Sequence, residues 1–349
     1  MSDRLKPLEG LPRTRLGHYP TPLEAMPRLA AELGRGGGLY VKRDDCTGLA
    51  FGGNKVRQLE FYFGEALSEG ADTVLITGAV QSNFARSTAA AAARLGMACH
   101  IQLEERVAKS DPEYRRSGNV LLDRMLGATL HSYPDGEDEA GADRRLREIA
   151  AELKSQGRRP YVIPLAPGHK PLGALGYVDA AREIVGQFEA LSQRIDEIVV
   201  ASGSGATHGG LLFGLRALGS AIRVTGICVR RAADNQRARI IARCREIADL
   251  LEIANVVDDA DVILDDSFLA PGYGRLNEAT LHAIDLAARC EALILDPVYT
   301  GKVLAGTIAR AGETGPDHNI LFLHSGGTPA TFAYSAALTE ALAALHPQG

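Results

Sequence analysis

No apolar run in this chain reaches the ~20 residues that a bilayer-spanning helix needs. The cysteines are few: Cys46, Cys99, Cys228, Cys244 and Cys290 are scattered, odd in number and form no C-x-x-C pair. That spacing excludes a small disulfide scaffold and fits reduced thiols of a cytosolic protein. The nine histidines show no H-x-x-x-H or comparable spacing, so no metal is expected. No G-x-S-x-G elbow is present, which removes the usual serine-hydrolase signature. There is no excess of positive charge either. With 38 Lys and Arg against 43 Asp and Glu, the formal charge is −5. Such a chain is a poor binder of nucleic acid or anionic membranes. The start, Met1 to Pro7, has no apolar core of a signal peptide, so a cytoplasmic location is expected.

What is abundant is glycine, 38 of 349 residues, above the usual ~7%. In a globular chain this points to tight turns, some of them against a ligand. The length suggests two domains or one large one.

Short apolar runs alternate with amphipathic stretches. Strands are expected at 39–42, 73–77, 99–103, 129–133, 161–163, 197–201, 223–228, 293–295 and 319–324. Helices are expected at 55–69, 83–95, 118–126, 140–155, 173–191, 207–218, 235–251, 277–289, 302–311 and 329–345. This alternation predicts an α/β protein of βαβ units with mostly parallel sheets. So many strands favour two domains, and Pro164–Pro171 is the best candidate linker. The polar segments 104–118 and 135–143 read as exposed excursions without a motif.

Several loops could carry chemistry. Gly52-Gly53-Asn54-Lys55 places a lysine in the first turn of a helix. Partial positive charge there would favour a neutral amine, as an imine-forming lysine requires. From this segment alone, a solvated lysine is the simpler reading. In Gly78-Ala79-Val80-Gln81-Ser82-Asn83, between strand and helix, Ser82 or Asn83 could be a helix cap. Capping does not account for Gln81, Ser82 and Asn83 together, and α/β ligands bind at such strand ends. Ser202-Gly203-Ser204-Gly205-Ala206-Thr207-His208 follows an apolar strand and suits a phosphate at a helix N-terminus. It misses the dinucleotide pattern, because position 208 is His and the third glycine comes one residue late. Asp296-Pro297-Val298-Tyr299-Thr300, His324-Ser325-Gly326-Gly327 and Gly272-Tyr273-Gly274 are each weak alone. Tyr273 and Tyr299 could simply pack, and His324 could be a core histidine.

In this order, these segments resemble the fold type II family of pyridoxal-phosphate enzymes. The likeness is greatest to the branch of D-cysteine desulfhydrases and 1-aminocyclopropane-1-carboxylate deaminases. It rests also on Pro20-Thr21-Pro22-Leu23, Lys42-Arg43-Asp44-Asp45 and Leu172-Gly173-Ala174-Leu175-Gly176-Tyr177. The resemblance implies two three-layer α/β/α domains with the cofactor in the cleft between them, commonly in a homodimer. The large domain would be 1–54 with 165–349, and the small inserted one 55–164. Lys55, beside Asn54, would join covalently to pyridoxal 5'-phosphate and exchange protons at Cα. Asn83 would meet the ring hydroxyl. Ser204, Gly205, Ala206 and Thr207 would hold the phosphate. Gln81, Ser82 and Asn83 would receive the substrate, with Ser82 on its carboxylate or relaying a proton. Tyr299 and Tyr273 would lie over it, and Ser325 or Thr300 would face the pyridine nitrogen.

Three departures bear on the substrate. Thr300 stands where the cyclopropane deaminases carry glutamate. A neutral group there leaves the nitrogen largely unprotonated, which suits β-elimination from D-cysteine better than opening a cyclopropane ring. Phe84 replaces a common histidine. Gly168-His169-Lys170-Pro171 replaces a Gly-Ser-Asn run, and its cations could draw an anionic side group. L-cysteate sulfo-lyase is therefore the second reading, and the cyclopropane deaminase a further one. From other classes, a nicotinamide-dependent oxidoreductase using Arg230-Arg231 and a non-catalytic binding protein stand as alternatives.

Overall fold

The computed structural model describes residues 3–109, 111–165 and 168–346. The strands among them are β1 (Leu23–Ala25), β2 (Leu39–Arg43), β3 (Thr73–Ala79), β4 (Ala98–Glu104), β5 (Thr129–Tyr133), β6 (Pro160–Ile163), β7 (Glu197–Ser202), β8 (Arg223–Cys228), β9 (Ile263–Asp265) and β10 (Ile320–His324). They form a six-stranded sheet ordered β1-β2-β10-β7-β8-β9 and a four-stranded sheet ordered β5-β4-β3-β6. Every pairing is parallel except β1 with β2. The chain is therefore α/β with mostly parallel sheets, as its alternating pattern predicts. Central strands such as β3 and β10 are buried along their whole length. Helices on the sheet faces explain why these strands read as unbroken apolar runs.

One apolar cluster joins the sheets. It includes Val74, Ile76 and Ile101 from the smaller and Ile198, Val200 and Leu321 from the larger. Close helix packing completes it. A Cβ on Gly176 would lie 2.3 Å from the Arg57 carbonyl oxygen, and one on Gly210 would lie 2.2 Å from that of Ala174. These glycines let Leu172–Ala190 nest between Asn54–Ser68 and Ala206–Ala217.

Two expectations fail. Residues 293–295 form no strand. Leu293 and Leu295 are buried and Ile294 is exposed, but β10 already pairs with β2 and β7. Alternating burial there comes from packing in the apolar cluster around β2 and β10, not from a ladder. The expected helix 329–345 is broken into Thr328–Phe332 and Ser335–Leu345. At the break, Tyr334 Oη donates to the Gly274 carbonyl (2.9 Å) and its ring meets Tyr114 edge-on. The expected excursions also contain the helix Pro112–Arg116 and the start of Glu139–Ser155. Of the expected linker, Ala166 and Pro167 lie outside the described residues.

Candidate active site

The loops leaving β3, β7, β8 and β10 all reach one cleft, the expected ligand position in a parallel sheet. It holds about 930 Å³ of free space, part of it open to solvent.

Lys55 enters from a turn that only glycine tolerates easily, with φ of +60° at Gly52 and +109° at Gly53. The turn is stitched on both sides: Gly53 N–H donates to the Asp44 carbonyl and Asn54 N–H to that of Ser325. Gly53 occupies the N-cap and Asn54 begins the helix Asn54–Ser68. Behind it, Arg57 is 1% exposed and donates to both carboxylate oxygens of Asp44 and to Glu183. Tyr177 also donates to Asp44, and Lys42 donates to Glu183 and to the Thr21 carbonyl (2.7 Å). This buried network fixes the first helical turn. Lys55 Nζ, by contrast, has no carboxylate partner among the described residues. It lies 3.5 Å from Gln58 Oε1 and 5.2 Å from the Phe84 ring centroid. Burial lowers its pKa from 10.5 to about 8.

The glycine turn after β7 has φ +94° at Gly205, and the helix Ala206–Ala217 follows. First-turn amides have no acceptor within their own helix, so this end can receive an anion. Asn54 Nδ2 and Gln58 Nε2 both donate to Thr207 Oγ1, each at 2.9 Å. The hydroxyl accepts twice, so its proton is left to donate into the cleft. His208 points the other way. Its Nδ1 meets Ser202 Oγ at 3.0 Å, and a Cβ on Gly226 would lie 2.4 Å from that nitrogen. Burial lowers its pKa to about 4, so it is a neutral core residue. This explains the missing glycine at 208.

On the β3 side, Ser82 Oγ accepts from Ala85 N–H at 3.1 Å, capping the helix Asn83–Leu95. Its own proton remains available. Asn83 Oδ1 accepts from Asn119 Nδ2 at 2.8 Å, which turns the Asn83 amide nitrogen outward as a donor. Tyr273 and Tyr299 share a hydrogen bond of 2.6 Å between their hydroxyls. Burial, then Tyr273, raises the Tyr299 pKa, so that hydroxyl keeps its proton.

Ten of the expected residues thus line one cleft: Asn54, Lys55, Ser82, Asn83, Ser204, Gly205, Thr207, Tyr273, Tyr299 and Ser325. Ala206 lies at the first turn beside them. Gln81 and Thr300 do not line it. Gln81 Nε2 is committed to the Tyr114 and Ser117 carbonyls. Thr300 is fully buried and its hydroxyl donates to Asp296 at 2.7 Å. The variant loop also turns away. Lys170 pairs with Glu65 (2.7 Å) and His169 with Asp143 (3.4 Å), at a smaller adjoining cavity.

Sequence reading missed an arginine wall. Arg106, Arg230, Arg231 and Arg239 line the cleft with Glu139. Arg230, Arg231 and Arg239 converge on the Glu139 carboxylate, at 2.7, 2.5 and 3.4 Å. The only signal was the position of Arg106 and of Arg230-Arg231 just past strand ends.

A family model described as "Pyridoxal-phosphate dependent enzyme" matches residues 14–326. A D-cysteine desulfhydrase of Salmonella typhi is 44% identical over 332 residues, 94% of this chain and 97% of the relative. A 1-aminocyclopropane-1-carboxylate deaminase of Burkholderia multivorans is 44% identical over 336 residues, 95% of this chain and 99% of the relative. The crystal structure of an ACC deaminase homologue superposes with a TM-score of 0.85 at 39% identity, covering 97% of this chain and 99% of the other. O-ureido-L-serine synthase shares the fold, with a TM-score of 0.63 at 19% identity over 94% of each chain.

Proposed function

The chain belongs to the family of pyridoxal-phosphate-dependent enzymes, and from that premise we propose a lyase that removes the β-substituent of a cysteine-like amino acid. From D-cysteine the products are pyruvate, ammonia and sulfide. The residues in the cleft fit the cofactor. An amine with a lowered pKa, a helix N-terminus with a free hydroxyl proton at Thr207, and an outward Asn83 amide match an aldehyde, a phosphate and a ring hydroxyl.

The bound cofactor supplies the electron sink for the carbanion at Cα. Lys55 Nζ takes the Cα proton as the bond from Cβ to the leaving group breaks. The Ser82 hydroxyl holds the substrate carboxylate, and the Asn83 amide nitrogen, with two protons, reaches it beside the ring hydroxyl. Tyr299, fixed by Tyr273, covers the substrate and keeps water from the reacting carbon. Of the cleft-lining residues, Ser325 and not a carboxylate adjoins the Gly53–Lys55 turn, and the lining carboxylate, Glu139, is held by three arginines. A site without a carboxylate there favours elimination, in which the leaving group carries away the electron pair, over opening an unactivated ring.

The single observation that carries this reading is the half-buried, carboxylate-free Lys55 amine in the same cleft as the glycine turn. The test is a panel of D-cysteine, L-cysteate, 3-chloro-D-alanine and 1-aminocyclopropane-1-carboxylate assayed for keto acid, alongside Lys55→Ala. Pyruvate from β-substituted amino acids, with loss of the yellow chromophore in the variant, is expected. Product from the cyclopropane alone would overturn the elimination reading in favour of ring opening.

Residues 55–164 are read as the smaller domain, which holds the separate four-stranded sheet. A homodimer is supported by exposed Leu121, Met125 and Phe332, with Phe332 and Ser117 of adjoining segments in contact. Five free thiols support a reducing, cytoplasmic setting.

A further inference from the structure

The arginine wall has no role in the reading above. Arg230, Arg231 and Arg239 share one carboxylate, and their remaining arms rest on the carbonyls of Gly136, Gly203, Ser204 and Leu165. Arg231 and Arg239 therefore border the glycine turn, where they add to the potential that holds a phosphate. Arg106 does not. It adjoins Tyr273 and Tyr299, the end of the cleft assigned to the substrate.

The Arg106 side chain is 7% exposed. Its Nε donates to Glu104 Oε2 at 2.7 Å. Nη2 lies 2.7 Å from the same oxygen but is buried without a hydrogen bond. The other Glu104 oxygen accepts from Thr77 at 2.6 Å, and no hydrogen bond joins it to Arg106. Nη1 has no partner among the described residues. A buried guanidinium is costly unless its donors are met. The fork of Nη1 and Nη2 is spaced for two oxygens of one oxyanion. The four guanidiniums face Glu104, Glu139 and, through Arg230 at 3.7 Å, the exposed Glu137, so the wall keeps one cation in excess.

We propose that Arg106 forms a subsite for a tetrahedral oxyanion on the substrate's β-carbon: a sulfonate, a sulfate ester or a phosphate ester. This rests on the elimination reading and names its substrate class. The reaction balances without another reactant except water. The Cα proton passes to Lys55, and the Cβ–S or Cβ–O bond breaks. The electron pair departs with the sulfite, sulfate or phosphate. The resulting 2-aminoacrylate takes up one water and yields pyruvate and ammonium. Negative charge grows on the departing group as the bond breaks, so the guanidinium binds the transition state more tightly than the ground state.

The test compares cysteate, serine O-sulfate and O-phosphoserine, both enantiomers of each, with the neutral 3-chloroalanine in the holoenzyme. At least one anionic substrate should have the higher kcat/KM, and which one identifies the oxyanion. Inorganic sulfate should compete with 3-chloroalanine and perturb the bound chromophore without any turnover. In Arg106→Gln the ratio of anionic to neutral kcat/KM should fall about 10- to 100-fold, the size of one charged hydrogen bond, with partial recovery in Arg106→Lys. If Arg106→Gln does not fold, the sulfate competition in the wild type still decides. Turnover of 3-chloroalanine with no advantage for any anionic substrate and no effect of sulfate would overturn the subsite alone. No turnover of any amino acid, 3-chloroalanine included, would instead remove the elimination reading beneath it.

Discussion

Replacing Thr207 by Val keeps the shape of the side chain and deletes its hydroxyl. Two consequences separate. Gln58 Nε2 loses its acceptor at 2.9 Å while remaining 1% exposed. A buried donor left unpaired costs about 1–3 kcal/mol. Asn54 Nδ2 loses the same acceptor, but that residue is only half-buried and can turn to water. The apoenzyme should therefore lose about 1–3 kcal/mol in a urea titration. The second consequence concerns the cofactor. With two donors occupying its lone pairs, the Thr207 hydroxyl has one use left for its proton, a bond to the phosphate. A bond to a charged group contributes about 1.5–3 kcal/mol, so affinity should fall roughly 10- to 150-fold. Fluorescence titration of dialysed apoenzyme with pyridoxal phosphate measures it. Thr207→Ser, which keeps the hydroxyl, should stay within a few-fold of wild type. If Thr207→Val melts early yet binds the cofactor as tightly as wild type, the proton points elsewhere and the reasoning is wrong.

Other perturbations have equally direct outcomes. The Lys55 pKa falls from 10.5 to about 8 on folding, so below pH 8 the folded apoenzyme carries the full cost of a partly desolvated cation. The unfolded chain binds more protons between those values, and stability should rise with pH there. Lys55→Met apoenzyme should be more stable than wild type at pH 7 by up to ~3 kcal/mol, from 1.36 kcal/mol per unit, and the gap should close by about pH 10.5. An unchanged gap across that range in urea melts refutes the burial argument. Wild-type apoenzyme should also capture the aldehyde faster as pH rises through 8, then level off. Gly226→Ala drives a Cβ to 2.4 Å from His208; overpacking of this kind should cost about 1–3 kcal/mol in a denaturant titration. Lys302 donates to the Leu269 and Gly272 carbonyls, just before Tyr273. Lys302→Met should lower kcat and raise KM together, while pyridoxal-phosphate affinity measured by titration stays within about threefold.

Period and turn chemistry made most of the fold legible. Strands such as Arg223–Cys228 and helices such as Asn83–Leu95 fall where apolar runs and caps place them. The misses have physical causes. Leu293–Leu295 has a strand's alternation, but a ladder depends on a neighbour brought alongside in register, which no local pattern encodes. Tyr334 breaks a helix through a partner sixty residues away. The glycines at 173 and 176 stand as motif letters in the sequence, but their role is packing: a Cβ on either would meet the helix Asn54–Ser68. At the site, Lys55, Ser82, Asn83 and Thr207 were marked by their positions after strands and turns. Gln81 and Thr300 sit in the same motifs, yet their hydrogen bonds turn them toward the scaffold. Arg230-Arg231 suggested a nicotinamide site and Arg106 lay just past a strand end, but the wall they form with Arg239 was hidden, because their meeting depends on how the two sheets face each other.

The network behind Lys55 sets a condition on anyone wishing to move this chemistry. Arg57 is held by Asp44 and Glu183, which in turn hold Tyr177 and Lys42, with Thr21 closing the group. These partners come from segments more than a hundred residues apart. Grafting the Gly53-Asn54-Lys55 turn into another scaffold would carry the amine without the framework that aims it. A successful transplant would have to import the whole ionic cage, or replace it with apolar packing of equal stiffness.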